Sequence, residues 1–229
     1  MKGGLTVFLL ATLFQTVIFV GLAGMLIFGT AGRLDLWNVW AYLAIALGLA
    51  LFRDFAMYRL NPDLVKERIK PAASGRFRLL MVIGALATFT LHWASAGLDQ
   101  RLHWTDRIPP AGVVAGLVIF ALGMGFGVWP MLVNRFFSTA VRIQSERGHE
   151  VISSGPYAIV RHPGYAGFVL LLVASGVALN SLLSILPALV IVAVVAFRTA
   201  DEDRMLQRDL AGYAEYSKKV RYRLVPGVW

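Results

Sequence analysis

The 229-residue sequence has no cysteine. That excludes disulfides, thiolate metal ligands, a cysteine nucleophile and lipid attachment through sulfur. Charge is also scarce, at 15% of residues, whereas 58% are hydrophobic. With a mean hydropathy of +0.67 the chain lies well outside the range of a soluble domain and reads as an integral membrane protein.

A membrane-spanning helix needs about 20 apolar residues. Four stretches meet that length: Leu5 to Phe28, Leu36 to Tyr58, Leu79 to Leu98 and Ala111 to Val133. A fifth apolar region, Tyr165 to Phe197, is too long for one span, and Asn180 and Ser181 divide it into the two arms of a tight hairpin, the first of them short. The expected fold is all-α, a polytopic membrane helix bundle of about six transmembrane helices, or five if the hairpin is re-entrant. The run after Lys2 is too long for a signal-peptide core and counts as the first helix.

The net charge of +9 is unevenly placed. Lys and Arg gather in Arg53 to Arg78, Arg135 to Arg161 and Arg198 to Arg223, while the alternate loops hold only Arg33, Arg101 and Arg107. Six spans put the three basic regions and both termini on one side, which the positive-inside rule makes cytoplasmic. The basic residues are juxtamembrane and scattered, so anionic lipid headgroups explain them and no nucleic-acid partner is expected.

The first two helices read as scaffold. Gly21, Gly24, Gly29 and Gly32 suit close helix approach, and Trp37 and Trp40 an interfacial belt. Arg53 and Asp54 close the second helix, where adjacent positions do not face each other. The stretch Asn61 to Pro71 predicts a charged, amphipathic helix lying on the membrane surface. His92 has no carboxylate or second His at helical spacing and is expected to be a packing or interfacial residue, not a metal ligand. Gly112, Gly116, Gly123, Gly125 and Gly127 predict close packing of the fourth helix, with a bend near Pro130.

The polar segment Asn134 to Tyr165 alone reads as a site, and its centre is SGPYAIVRHPGY from Ser154 to Tyr165. Pro156 and Pro163 fix φ beside Gly155 and Gly164, so a small ligand could lie against the backbone. A linker leading into a helix, with Arg161 and His162 at the headgroups and Tyr157 and Tyr165 as anchors, fits the same residues. Beyond the hairpin, Arg198 and Glu202 are four apart on one helix face. They make either an exposed pair or, since the hairpin returns this end to the level of His162, part of a convergent cation, carboxylate and imidazole.

These elements resemble the isoprenylcysteine carboxyl methyltransferase family, which groups with phospholipid N-methyltransferases. The resemblance rests on GPYxxVRHPxYxG, the hairpin, the Arg-x-x-x-Glu-acid element at Arg198, Glu202 and Asp203, and the tail with Tyr213 and Tyr216. It implies a scaffold over 1–133 and a catalytic region over 134–229, with a cytoplasmic cofactor-binding loop and a C-terminal helix. It also implies S-adenosylmethionine as cofactor, held by Gln144, His149, Glu150, Val151, Ile152, Tyr157, Arg161, His162, Pro163, Gly164, Tyr165 and Glu202. Arg198 and Glu202 become the catalytic pair, with Arg198 holding a substrate carboxylate. Pro156, Asp203 in place of a second glutamate, and Leu210-Ala211 in place of Phe-Gly depart from the family pattern.

A sulfonium donor with a zwitterionic end wants a carboxylate, hydrogen-bond donors and aromatic faces, and these residues supply all three. A carboxylate acceptor is already ionised and needs no base. An amine acceptor would need one, and Glu202, Asp203 or His162 could serve. The expected function is methylation of a lipophilic acceptor drawn from the bilayer, an isoprenylcysteine-like carboxylate first and a phospholipid amine second. An NADPH-dependent sterol-type reductase, whose C-terminal half looks similar, and a non-enzymatic scaffold are the other readings.

Overall fold

The computed structural model describes residues 2–69, 76–138 and 142–229. Lys70 and Pro71 of the expected surface helix, and Val141 of the polar segment, lie outside them. The helices are α1 (Lys2–Ala31), α2 (Trp37–Leu60), α3 (Pro62–Ile69), α4 (Arg76–Leu102), α5 (Pro110–Val133), α6 (Pro163–Ala178), α7 (Ile185–Asp209) and α8 (Tyr213–Lys219). No strand occurs among the described residues.

Three of these, α1, α2 and α5, are long and apolar enough to cross a membrane. The first arm of the expected hairpin is α6, an apolar helix of 16 residues. At 1.5 Å per residue it reaches about 24 Å, short of a hydrocarbon core of about 30 Å. Its turn falls where Asn180 and Ser181 predict it, with Asn180 at a positive φ of 54°.

Lipid tails are as apolar as leucine, so helices in a bilayer associate by close packing and polar contacts. Both are visible. A Cβ on Gly116 would stand 2.7 Å from the Ala178 nitrogen, and one on Gly123 would stand 2.7 Å from the Leu171 nitrogen, so α5 and α6 meet backbone to backbone. In α1 the expected glycines serve less: Gly21 and Gly29 face open space, and the close approach comes from Gly97 of α4 against Ile27 and Thr30.

Polar contacts pin the hairpin tip to the connections at the far end of the bundle. Gln100 donates to the Leu179 carbonyl at 2.6 Å and Asn38 to that of Ala178 at 3.2 Å. The Ser181 hydroxyl donates to Asp99 at 2.6 Å, and the Asn180 side chain accepts the Ile108 amide at 2.8 Å. His92 is a buried packing residue and not an interfacial one: its Nδ1 meets the Ser184 carbonyl at 2.7 Å and its Nε2 the Ser175 hydroxyl at 2.9 Å.

Two local expectations fail. Arg53 and Asp54 do pair, through Nε at 2.9 Å, because the long arginine stem curls back along its own helix turn. Asp54 is thereby buried, and it also accepts from Thr16 of α1 at 2.9 Å. In α3, which forms where the sequence predicts a helix, Leu64 and Val65 are fully buried against Met57, Met131 and Phe137, so these two side chains pack on protein where a surface helix would turn them to lipid. Asn61 fixes α3 by donating to the Met131 carbonyl at 2.8 Å, at the end of α5.

Candidate active site

At the end of the bundle opposite the hairpin tip, the C-terminus of α5, the N-terminus of α6, the charged end of α7 and α8 surround a cavity of about 690 Å³. That lies within the range of small-molecule sites. The motif that shapes it is bound locally. Gly155 has φ of 59° and opens a single 3-10 turn over Gly155–Ala158. Within the turn Tyr157 is held from both sides: its hydroxyl accepts from Asn134 at 2.8 Å and its carbonyl accepts the Tyr216 hydroxyl at 2.7 Å. Burial pushes the Tyr157, Tyr213 and Tyr216 phenols well above the ordinary tyrosine value, so all three stay protonated.

Next comes Arg161-His162. Its two amides donate to the carbonyls of Tyr222 at 2.9 Å and Arg223 at 3.0 Å, so the C-terminal segment runs alongside like a short strap. Pro163 then starts α6 at a position whose missing N–H costs nothing.

Beneath these residues lies Asp203, with no exposed surface. Its Oδ1 accepts from Arg161 Nε at 2.8 Å and the Tyr213 hydroxyl at 2.9 Å and faces His162 Nε2 at 3.3 Å. Its Oδ2 accepts from Arg161 at 3.1 Å, Gln207 at 2.9 Å and Arg223 Nε at 2.9 Å. Burial alone would raise the carboxyl, but bonds from His162, Arg161 and Arg223 hold it far below the usual carboxylate range. A carboxylate so firmly ionised and so fully occupied is no proton acceptor, which removes Asp203 from the candidate bases. It also keeps its place off the cavity wall, which His162, Arg161 and Tyr213 line in front of it.

Across the cavity, Tyr165 links the two members of the Arg-x-x-x-Glu element. Arg198 Nε donates to its hydroxyl at 2.7 Å and that hydroxyl donates to Glu202 at 2.9 Å. The Tyr165 ring lies nearly parallel to that of His162, with centroids 6.1 Å apart. The open-surface pair considered from sequence is therefore part of a wired cluster.

Of the residues expected at the site, His149, Glu150, Val151, Ile152, Tyr157, Arg161, His162, Pro163, Gly164, Tyr165, Arg198 and Glu202 all line this cavity. Gln144 does not. It is 1% exposed, and its side chain is spent on the loop itself, donating to the Phe136 carbonyl at 2.7 Å and accepting from Arg147. His149 packs against Phe136 with ring centroids 4.6 Å apart and planes tilted by 34°, and burial, then the charges of Arg147 and Arg142, keep its pKa below the ordinary histidine value. Arg142 ties the loop to α3 through Glu67, and Arg135 pairs with Glu150 at 3.2 Å.

Sequence reading missed the part played by Asp203, which it took as a family departure and a candidate base, and by Arg223, which carried no signal. Asn134 and the paired Tyr213 and Tyr216 were present as polar and aromatic residues without a role. Among the described residues no group of three His, Asp or Glu gathers in metal-binding geometry.

A second cavity, of about 580 Å³, lies among α1, α2, α4, α5 and α6. Its wall is mostly apolar, with Phe19, Tyr42, Phe89, Trp93 and Phe120, and carries the Arg53, Asp54 and Thr16 cluster. It shares Met131, Gly164 and Phe168 with the first.

The helical bundle, with a chamber at one end walled by a His-Pro turn and an Arg-x-x-x-Glu element, is that of a membrane protein, and comparison with known proteins identifies a methyltransferase. Residues 114–208 match the isoprenylcysteine carboxyl methyltransferase (ICMT) family. The protein-S-isoprenylcysteine O-methyltransferase B of Arabidopsis thaliana is 33% identical over 149 residues, 64% of this chain and 72% of that protein. The chain belongs to the isoprenylcysteine carboxyl methyltransferase family. A Delta(14)-sterol reductase of Mus musculus is 33% identical over 90 residues, 38% of this chain and 22% of the reductase. The solved structure of a eukaryotic intramembrane Ras methyltransferase, ICMT, has the same fold, with a TM-score of 0.59 at 20% identity over 92% of this chain and 74% of that one.

Proposed function

We propose that this protein transfers a methyl group from S-adenosylmethionine to the carboxylate of an isoprenylcysteine-like, lipophilic acceptor at the cytoplasmic face of a membrane. The observation that carries the reading is the Arg198, Tyr165 and Glu202 cluster at one wall of a chamber that adjoins an apolar cavity between the helices. Whatever depth α6 reaches, the α6–α7 hairpin returns the chain to the chamber side, and the Lys and Arg gathered in alternate loops support a cytoplasmic face there under the positive-inside rule.

The residues present suit the cofactor. Glu202 supplies a carboxylate for its cationic parts, His162 and Tyr165 line the wall beside it, and Val151, Ile152, Leu206 and Tyr157 offer apolar and aromatic surface to a base. When bound, the cofactor supplies an activated methyl group. The chain's task is then positioning: Arg198 can hold a carboxylate by a planar two-donor fork, and Tyr165 fixes the direction of that fork through Nε. No proton leaves an ionised carboxylate, so no base is required. An amine acceptor would call on Glu202, since Asp203 is fully engaged.

Calorimetric titration of purified protein with S-adenosylmethionine and S-adenosylhomocysteine tests the cofactor. Binding is expected, with marked weakening in His162→Ala and Glu202→Ala, and its absence in a folded sample would overturn the reading. Transfer of labelled methyl to a membrane lipid extract, with mass identification of the product, then fixes the acceptor. The sterol reductase likeness favours a second reading with NADPH. Thermal shifts with NADPH and with S-adenosylmethionine separate the two.

A further inference from the structure

We propose that Arg223 is a positioning residue that sets the orientation and tautomer of His162, so that the C-terminal strap builds the chamber wall it does not itself line. Arg223 reaches His162 by two routes, one direct and one through Asp203. Its carbonyl accepts the His162 amide at 3.0 Å, and its guanidinium donates at 2.9 Å to Asp203, the carboxylate that faces His162 Nε2 at 3.3 Å.

The tautomer follows from the proton inventory. An ionised carboxylate only accepts. Tyr213 stands 3.4 Å from His162 Nε2, but its single proton is directed to Asp203 Oδ1 at 2.9 Å. The ring nitrogen facing this pair must therefore carry the hydrogen, so in the neutral ring Nδ1 is the unprotonated nitrogen. Arg161 also holds both Asp203 oxygens, but it is the chain neighbour of His162, so of the two arginines it is Arg223 that brings a separate segment to the carboxylate. Arg223 comes from another segment and is itself anchored: its amide donates to the Trp229 carbonyl at 2.9 Å, and its guanidinium lies 5.1 Å from the centre of the Trp229 ring. The Arg161 guanidinium adds two bonds to the strap, to the carbonyls of Val220 at 2.9 Å and Arg221 at 2.7 Å.

This inference rests on the proposed function only for its effect on ligand binding, so the experiment has two readouts. Nitrogen-15 spectra of histidine-labelled protein in detergent report ring tautomers directly, and four histidines make assignment by substitution practical. Wild type is expected to show His162 as a single Nε2–H tautomer. Arg223→Gln should convert it to a mixture, while Arg223→Lys, which keeps the charge, retains most of the wild-type pattern. Calorimetry with S-adenosylhomocysteine should show affinity falling on the order of 10-fold in Arg223→Gln and largely rescued in Arg223→Lys, as for loss of a hydrogen bond to a charged group.

A His162 signal unchanged in Arg223→Gln overturns the proposal, whatever happens to affinity. So does an equal loss of affinity in both variants with no tautomer change, the mark of a merely structural role. If the tautomer shifts and no protein binds S-adenosylhomocysteine, the positioning stands and the cofactor reading falls.

Discussion

The Tyr165 hydroxyl stands between Arg198 and Glu202, accepting from the first at 2.7 Å and donating to the second at 2.9 Å. One phenol therefore sets the spacing of a cation and an anion that helical periodicity alone would have left as a flexible pair. Tyr165→Phe removes the link and leaves the ring. Under the proposed reaction, turnover should fall by roughly 10-fold to 100-fold, since each charged partner loses a bond of about 1.5–3 kcal/mol. The check is kcat for labelled methyl transfer beside the dissociation constant for S-adenosylhomocysteine. A loss confined to binding would place Tyr165 in the cofactor site alone.

Arg198→Lys separates acceptor classes. Lysine keeps the charge and loses the planar fork, so transfer to a carboxylate should drop by about 30-fold to 1,000-fold, or roughly 2–4 kcal/mol, with cofactor affinity nearly kept. An amine acceptor presents nothing for the fork to hold, and lysine should then be tolerated within a few-fold. Wild-type turnover of Arg198→Lys on a carboxylate would remove Arg198 from the catalytic pair.

Much of this was legible before any coordinates, and for a physical reason. Membrane insertion writes itself in hydropathy, and the His-Pro turn and Arg-x-x-x-Glu element are short local patterns whose members meet because a tight hairpin joins them. What sequence could not show were contacts between distant segments that share no periodicity. Asp203 looked like a conservative replacement, yet it collects donors from the turn before α6, from α7, α8 and the strap, and nothing around Arg223 announces that it reaches back to His162. Gln144 erred the other way. A polar residue in a site loop invites a ligand role, but this one is buried holding the loop to Phe136.

His92 offers a control for stability without chemistry. It joins α4 to both arms of the hairpin, far from the chamber, and its removal leaves the Ser184 carbonyl and Ser175 hydroxyl without this partner. His92→Ala should lower the melting temperature in detergent through a loss of about 1–3 kcal/mol, while S-adenosylhomocysteine affinity in the folded fraction stays within two-fold, roughly. A large affinity loss with unchanged melting would contradict the separation of scaffold from site.

Asp203 predicts a particular pH dependence. Its folded pKa is held below the ordinary value of 3.8, so the unfolded chain binds the extra proton first as pH falls. The stabilising contribution is complete above about pH 3.8 and is lost progressively below it, toward the folded pKa. Asp203→Asn removes the counter-charge of Arg161 and Arg223 and should cost about 3–5 kcal/mol at neutral pH, as breaking a buried pair from one side does. The gap between wild type and this variant should then be flat from pH 5 to 8, because no proton is exchanged at Asp203 in that range, and should narrow below about pH 3.8 as the wild type loses the same charge. Thermal melts of both proteins across that range measure the gap. A gap that closes near pH 6 would assign the titration to a histidine and not to the carboxylate.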